Sequence, residues 1–295
     1  MDLVTRTPRI PRVGETLTGT AFETTPGGKG ANQAVAAARL GYPVEMVAMV
    51  GGDAYGAALI ENLNRAGVGT EAMTRVPGPS GLAPMFVAEN GENSIVVVPG
   101  ANAKLRPEAV DRQSALIRSA GMVLCQLEIP METVSHLFAL CAQAGVPVLL
   151  DPAPAAALPE RIWSQAAWFT PNESEAAYYL GERDGARPEE AARHLLGKGL
   201  GGVVLKRGSE GAYVAAADGK SGWVKGFAVE AIDTVAAGDC FNGAFAVALL
   251  EGGDPWVAAR FANAAAALCV TRKGAQASMP SRAEVDAFLS GGGGS

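Results

Sequence analysis

Residues 121–150 read GMVLCQLEIPMETVSHLFALCAQAGVPVLL. Two short apolar runs, Met122–Leu127 and Val146–Leu150, flank a segment with helical spacing, Glu132–Ala144. Runs this apolar, with Gln126 the one polar residue among them, have almost no polar face to show to water, so each predicts a strand buried on both sides. A strand, a helix and a second such strand form the repeating unit of a parallel sheet covered by helices.

The same rhythm extends outward in both directions. Val44–Val50, Trp168–Thr170 and Val203–Leu205 read as further buried strands. Lys29–Leu40, Tyr55–Ala66, Pro107–Ser119 and Glu189–Lys198 carry helical patterns between them. After a strand-like Trp223–Ile232, two Ala-rich helical stretches follow, Cys240–Leu250 and Pro255–Thr271, with Gly252 and Gly253 between them. Two segments break the pattern. Leu3–Thr25 has Pro-rich turns, and Leu82–Pro99 alternates like exposed strands around Asn90-Gly91. The expected organisation is therefore a three-layer α/β/α core over 26–81 and 100–290, with a mainly parallel sheet. A small β-sheet lid is expected from 2–25 and 82–99. The tail 291–295, GGGGS, reads as a flexible linker and carries no fold information.

With 295 residues, 48% of them hydrophobic and 18% charged, the chain can bury a large core. Its 24 basic and 30 acidic residues give a net charge of −6 without a basic run, which argues against nucleic acid or an anionic membrane as partner. No stretch reaches the roughly 18 apolar residues of a membrane span, and no signal peptide opens the chain. The four cysteines, Cys125, Cys141, Cys240 and Cys269, sit in apolar stretches without a C-x-x-C pair. They read as buried free thiols in a reducing, cytoplasmic compartment. His136 and His194 lie too far apart for metal-ligand spacing.

Three segments carry the chemistry. In DTVAAGDCFNG (Asp233–Gly243), the small residues Ala236, Ala237 and Gly238 precede a helix that begins near Asp239. Free amides at a helix start, with little side-chain bulk around them, form an anion hole into which a phosphate fits. Asp239 is placed to take a proton from an attacking hydroxyl, although by itself it reads equally as an N-cap. In PGGKGANQ (Pro26–Gln33), a glycine cluster again precedes a helix, and Lys29 and Asn32 can reach sugar hydroxyls. It lacks the Lys-Ser/Thr pair of a P-loop and does not fit the dinucleotide fingerprint. In TPNESE (Thr170–Glu175), an amide and two carboxylates follow a strand and can hold Mg²⁺ through water, or can simply cap a helix in a capping box. Glu128 and Asp151 also follow strands. The carboxyl ends of parallel strands line a common crevice, so Asp239, Glu175, Glu128 and Asp151 are expected there together.

These segments resemble the signatures of the ribokinase-like (PfkB-type) carbohydrate kinases. GGKGANQAVAAARLG (27–41) is similar to the first signature, DTVAAGDCFNGAF (233–245) to the second, and NESE (172–175) to the N-x-x-E element of the family. The resemblance runs from Asp2 to about Leu289. It implies γ-phosphoryl transfer from MgATP to a small sugar; GGKGANQA, QLE (126–128), AAGD (236–239) and VTRKGAQ (270–276) look closest to the members that phosphorylate ribose. Fructose, 2-keto-3-deoxygluconate or a nucleoside is the alternative acceptor, and a catalytically impaired sugar- or nucleotide-binding protein the alternative class.

By the same resemblance, Asp239 is the base on the sugar 5-hydroxyl, and Ala236, Ala237 and Gly238 supply the anion hole. Asp2, Gly28, Lys29, Gly30, Ala31, Asn32, Glu128 and Asp239 hold the sugar. Asn172, Lys206, Arg207, Gly208, Ser209, Glu210, Gly211, Gly238, Asp239 and Asn263 line the nucleotide pocket, and Glu175 serves Mg²⁺ through water. A potassium-type activating site uses Asp233, Val235, Cys269, Arg272, Gly274 and Ser278. The lid sheet implies a homodimer. The chain departs from the family in having Lys206 and Cys240 where Thr is usual. Met1 also falls inside the Gly-Ser-x-Asn element that ends the first strand of the family. The first central strand is thus expected to be missing, from a truncation or an upstream start, leaving two neighbouring strands with unpaired edges.

Overall fold

The computed structural model describes residues 1–181 and 187–291. The linker-like residues 292–295 lie outside the described residues. In chain order, β1 (Asp2–Thr7) and β2 (Ala21–Thr25) precede α1 (Lys29–Arg39). β3 (Met49–Gly51), α2 (Ala54–Arg65), β4 (Thr74–Val76), β5 (Ala83–Ala88) and β6 (Asn93–Ile95) follow. The middle of the chain holds α3 (Pro107–Arg112), α4 (Ser114–Ser119), β7 (Val123–Cys125), α5 (Met131–Ala144), β8 (Val148–Leu150), α6 (Glu160–Gln165), β9 (Trp168–Phe169) and α7 (Glu173–Leu180). α8 (Pro188–Leu196), β10 (Gly202–Lys206), β11 (Gly211–Ala216), β12 (Ser221–Lys225), α9 (Ala237–Leu250), α10 (Pro255–Val270) and α11 (Arg282–Ser290) complete it.

The main sheet has the order β12-β11-β10-β9-β8-β7. The pairs β7/β8, β8/β9 and β9/β10 are parallel; β10/β11 and β11/β12 are antiparallel. Alternate residues of its strands enter two separate cores. Leu149, Val204, Ala212 and Val214 pack with α1, α9 and α10. Val148, Leu150, Phe169, Val203, Leu205 and Tyr213 pack against the opposite helices, including Phe138, Ile162 and Leu195. This two-sided burial accounts for the continuous apolar runs in the sequence. α9 is buried on all sides, from Asp239 to Ala248, which is why it has almost no polar face.

A second sheet, β2-β1-β5-β6, is built from the two segments that broke the strand–helix rhythm. β1 pairs antiparallel with β2 and parallel with β5, and β5 with β6 forms a hairpin around Asn90-Gly91.

A third sheet contains β3 and β4 alone. Glu45 and Gly69 extend that pairing by one isolated bridge. The edge of β7 and the segment 44–50 face one another across an apolar cavity of about 550 Å³, lined by Val47, Met49, Leu124, Ala34, Leu63 and Val247 among others. The two unpaired edges expected from the sequence are therefore present. They also explain why the predicted strand Val44–Val50 contracts to Met49–Gly51, since one side of it has no ladder to join.

Other boundaries moved for local reasons. The helix expected over Pro107–Ser119 is two short helices divided at Gln113, whose backbone (φ −103°, ψ 14°) leaves the helical region. The strand expected over Trp223–Ile232 ends at Lys225. β11 was not anticipated; its Ala- and Gly-rich sequence hides a strand that pairs with β10 along five residues.

Candidate active site

The carboxyl ends of the parallel strands and the starts of α1, α7 and α9 converge on one crevice, as expected for an open α/β sheet. Asp151 directly follows β8, Lys206 ends β10, and Asn172 caps α7 at the end of β9. Asp239 lies in the first turn of α9. It is not the N-cap: Ala236 holds that position, with a left-handed φ of 60°.

The centre is a ring of buried polar side chains. Asn32 Nδ2 donates to Asp239 Oδ2 at 2.9 Å, and Gln33 Nε2 donates to Asp239 Oδ1 at 3.1 Å. The same Gln33 nitrogen donates to Asp151 Oδ2 at 2.9 Å, while Gln33 Oε1 accepts from Gln126 Nε2 at 2.6 Å. Gln276 Nε2 donates to Asn32 Oδ1 at 3.1 Å, which fixes that amide with its nitrogen toward Asp239. Asp151 Oδ1 accepts from Lys206 Nζ at 3.0 Å.

Burial pushes the Asp239 carboxyl up to about 6, the neighbouring Asp151 charge adds to the rise, and Lys29, Asn32 and Gln33 hold it down. Burial alone would lower Lys29, yet Asp239, Asp151, Glu128 and Glu175 together raise it above its ordinary value and keep it charged. Glu128 is raised by burial and opposed by the Lys29 backbone N–H, which donates to Glu128 Oε2 at 3.0 Å, and by the Lys29 charge.

At the sugar-binding side predicted from the sequence, Gly28 precedes α1 with φ 94°, a conformation that favours glycine. A side chain added there would meet only open space, whereas one at Gly27 would run into the Asp2 carboxylate. Asp2 is itself raised by burial, with the amino terminus opposing. Gly30 and Ala31 follow in the first turn of α1, and a Cβ on Gly30 would lie 2.9 Å from Gln126 Oε1.

The first helical bond of α9 runs from Cys240 N–H to Ala236 C=O at 2.8 Å. The amides of Gly238 and Asp239 therefore precede the ladder and have no partner within the helix. Ala237 N–H reaches back to Thr234 C=O at 3.3 Å. The sequence reading named Ala236, Ala237 and Gly238; the geometry adds the amide of Asp239.

On the side assigned to nucleotide, Arg207 pairs with Glu173 at 2.5 Å and more loosely with Glu210 at 3.7 Å. Gly208, Ser209 and Glu210 form a tight turn, and Gly208 and Gly211 have φ values of 55° and 103°. Asn263 sits beside this turn: Gly226, the residue after its partner Lys225, donates to Glu210 C=O at 3.0 Å. Its amide donates to the carbonyls of Val224 and Lys225 at 3.0 and 3.1 Å, fastening α10 to β12. Asn172 and Glu175 form a complete capping box: Asn172 Oδ1 accepts from Glu175 N–H and Glu175 Oε2 accepts from Asn172 N–H, at 2.9 and 2.8 Å. Glu175 is raised by burial against the nearby Lys206 charge. Among the described residues, both oxygens of this buried carboxylate accept only from Asn172, so lone pairs are left over that fit a water-mediated Mg²⁺.

The proposed cation-site residues also gather. Asp233 Oδ1 and Oδ2 accept from the amides of Val235 and Gly274 at 3.0 and 2.9 Å, and Cys269 Sγ lies 3.0 Å from Ser278 Oγ. Arg272 turns its side chain outward to Glu284 at 2.7 Å.

Sequence reasoning missed Gln33, the hub of the network, and gave Asp151 no role. The available signal was two adjacent amides, Asn32-Gln33, in an otherwise Ala-rich buried helix; polar groups in that setting need partners.

Residues 1–282 match the model of the pfkB family carbohydrate kinases. The chain belongs to that family. Bacillus subtilis ribokinase is 45% identical over 291 residues, covering 98% of this chain and 96% of the relative. Salmonella typhi deoxyribokinase is 41% identical, covering 98% and 96%. The structure of Arabidopsis thaliana ribokinase complexed with ribose and ATP superimposes with a TM-score of 0.91 at 36% identity, covering 98% of this chain and 95% of that one. Like other carbohydrate kinases of the family, the chain is an ATP-dependent phosphotransferase built on the ribokinase-like fold.

Proposed function

We propose that the enzyme transfers the γ-phosphoryl group of MgATP to the 5-hydroxyl of D-ribose, giving ribose 5-phosphate and ADP. The observation that carries this reading is the Asn32–Asp239 contact, which joins the glycine-rich sugar segment to the amide-lined start of α9. The ribokinase relatives, one of them complexed with ribose and ATP, support ribose as the acceptor.

In the reaction, the sugar oxygen attacks the γ-phosphorus, the bond from that phosphorus to the bridging oxygen of ADP breaks, and the hydroxyl proton passes to Asp239. A carboxylate near 6 is mostly ionised at neutral pH and still basic enough to accept that proton. The Gly238 and Asp239 amides stabilise charge on the transferring group without having to reorganise. Lys29, kept charged by four carboxylates, and Glu128 hold sugar hydroxyls from the opposite wall, with Asp2 and Asn32. Mg²⁺, when bound, neutralises phosphate charge; Glu175 would hold it through water.

The monovalent cation site at Asp233, Val235, Cys269, Arg272, Gly274 and Ser278 belongs to this reading. So does dimerisation through the lid sheet, whose exposed Phe22, Phe86, Ile95, Val96 and Val97 leave an apolar surface that a second copy would cover. The four buried free cysteines suit a reducing cytoplasm. Among the described residues, no helix is long and apolar enough to cross a membrane.

An assay of ADP release with ribose, 2-deoxyribose, fructose, 2-keto-3-deoxygluconate and adenosine tests the acceptor. Ribose is expected to lead in kcat/KM by at least about tenfold, in line with a site that pairs each hydroxyl. A lead for another sugar overturns the ribose reading. Ribose binding by calorimetry without ADP release from any acceptor identifies a binding protein instead.

A further inference from the structure

The Lys206 ammonium is unusual in its placement. It is held at 3.0 Å by Asp151, with only 13% of the side chain exposed. It also overhangs the start of α9: a Cβ on Gly238 would lie 3.4 Å from Lys206 Nζ. The charge therefore lies close to the start of α9, whose Gly238 and Asp239 amides are free, and Asp151 and Gln33 link it to the base. A positive charge there has two neighbours of opposite sign, Asp151 below and whatever anion occupies the amide hole above. Lysine, a point charge on a flexible stem, can serve both.

We propose that Lys206 is a catalytic residue of the phosphoryl transfer, whose ammonium carries the growing negative charge on the transferring group. Asp151 holds it in place, and the link Asp151–Gln33–Asp239 sets its position relative to the base. The proposal deepens the kinase reading and rests on it. The hole must receive the transferring phosphoryl rather than a more distant phosphate, because Asp239, which takes the acceptor proton, contributes one of its amides. The bonds made and broken are those already given; Lys206 gains and loses no proton. Charge stabilised only as the transfer proceeds should act on kcat more than on sugar binding.

The competing role is purely structural: Lys206 neutralises the buried Asp151, which is 2% exposed, and removing it strands a charge. Lys206→Met, Lys206→Arg, Asp151→Asn and the double variant Asp151→Asn/Lys206→Met separate the two. The double variant has no stranded charge, so it remains informative if Lys206→Met alone does not fold. Against Asp151→Asn, the double variant is expected to lose at least a further thirtyfold in kcat, with ribose KM within about twofold. By calorimetry it should bind MgATP more weakly by tenfold or more and MgADP by threefold or less. Lys206→Arg should recover part of kcat. If the double variant matches Asp151→Asn in kcat, or loses MgATP and MgADP affinity equally, Lys206 is only a counter-ion and the proposal falls. A wild-type enzyme without ADP release from any sugar would instead bring down the kinase reading beneath it.

Discussion

Asn32 and Asp239 are 207 positions apart in the chain and 2.9 Å apart in space. Both stand in the first turn of a helix, α1 and α9, and these helices pack closely enough that Gly243 rests on the α1 backbone. The contact turns two separate sequence segments into one device, with an acceptor-binding side at α1 and a phosphate-binding side at α9. The hydrogen bonds that Asn32 and Gln33 donate are stronger to the ionised than to the protonated Asp239, so they keep part of its acidity against burial.

Turnover should follow the ionisation of Asp239. With its carboxyl near 6 in the free enzyme, kcat/KM should be level above about pH 7 and fall nearly tenfold per pH unit below about 6. Stability should run the opposite way for this group. Its folded-state pKa lies above the ordinary value of 3.8, so its contribution is fully present below about 4 and is lost as pH rises through 6. A shift of this size is worth on the order of 3 kcal/mol. Asp239→Asn should lower kcat by at least about a hundredfold and remove the inflection near 6. A pH–rate profile still bending near 6 in that variant assigns the inflection to another group.

Gly243 should tolerate no side chain. A Cβ there would lie 2.7 Å from the Gln33 carbonyl oxygen and 2.8 Å from Ala36 Cβ, so α1 and α9 would have to separate. Overpacking of this kind costs about 1–3 kcal/mol. Because the displaced segment carries Asn32 and Gln33, Gly243→Ala should lower Tm and kcat together. A variant with reduced Tm and unchanged kcat would show that the network adjusts to the shift.

The layered fold was legible because burial on both faces leaves a continuous apolar trace, as in Val146–Leu150, and glycine-rich helix starts mark where ligands approach. Asp239 and Asn32 were legible as residues, but their contact was not, since nothing local encodes a pairing across 207 positions. Gln33 was passed over because its role comes entirely from burial, at 1% exposure, and burial of one polar position in an Ala-rich helix is a tertiary property. The anchoring of Asn263 was not legible either, for the same reason. Its partners are carbonyls at the end of β12, a strand whose limit at Lys225 the sequence did not mark. The short run Val44–Val50 was read as a full strand because propensity does not register whether a neighbour exists to pair with it.

Asn172 has a structural role that can be measured apart from nucleotide. Its side chain caps α7 and its amide nitrogen also donates to Glu175 Oε1 at 3.0 Å. Asn172→Ala should cost about 1 kcal/mol by loss of the cap. Asn172→Asp keeps the capping oxygen but sets a second charge against Glu175, so it should retain the helix at low pH and lose stability as both carboxylates ionise. Thermal melts at pH 5 and pH 8 distinguish the variants. If Asn172→Asp gains stability between those values, a cation nearer than the Lys206 ammonium offsets the Glu175 charge.

Gly27 and Asp2 give the last test, one of binding rather than of fold. A methyl group at Gly27 would meet the Asp2 carboxylate and no backbone atom among its nearest contacts. The carboxylate is the end of a side chain that can rotate, so Gly27→Ala should leave Tm within a degree or two while turning Asp2 out of the sugar site. Ribose KM should rise about tenfold or more, the loss expected when one hydrogen bond to a charged partner is broken. The KM for MgATP should hardly move. Asp2→Ala should give the same rise, and the double variant no further rise, because both changes remove one contact. Additive losses in the double variant would mean that Gly27 touches the sugar itself, and that its lack of a side chain serves the ligand rather than Asp2.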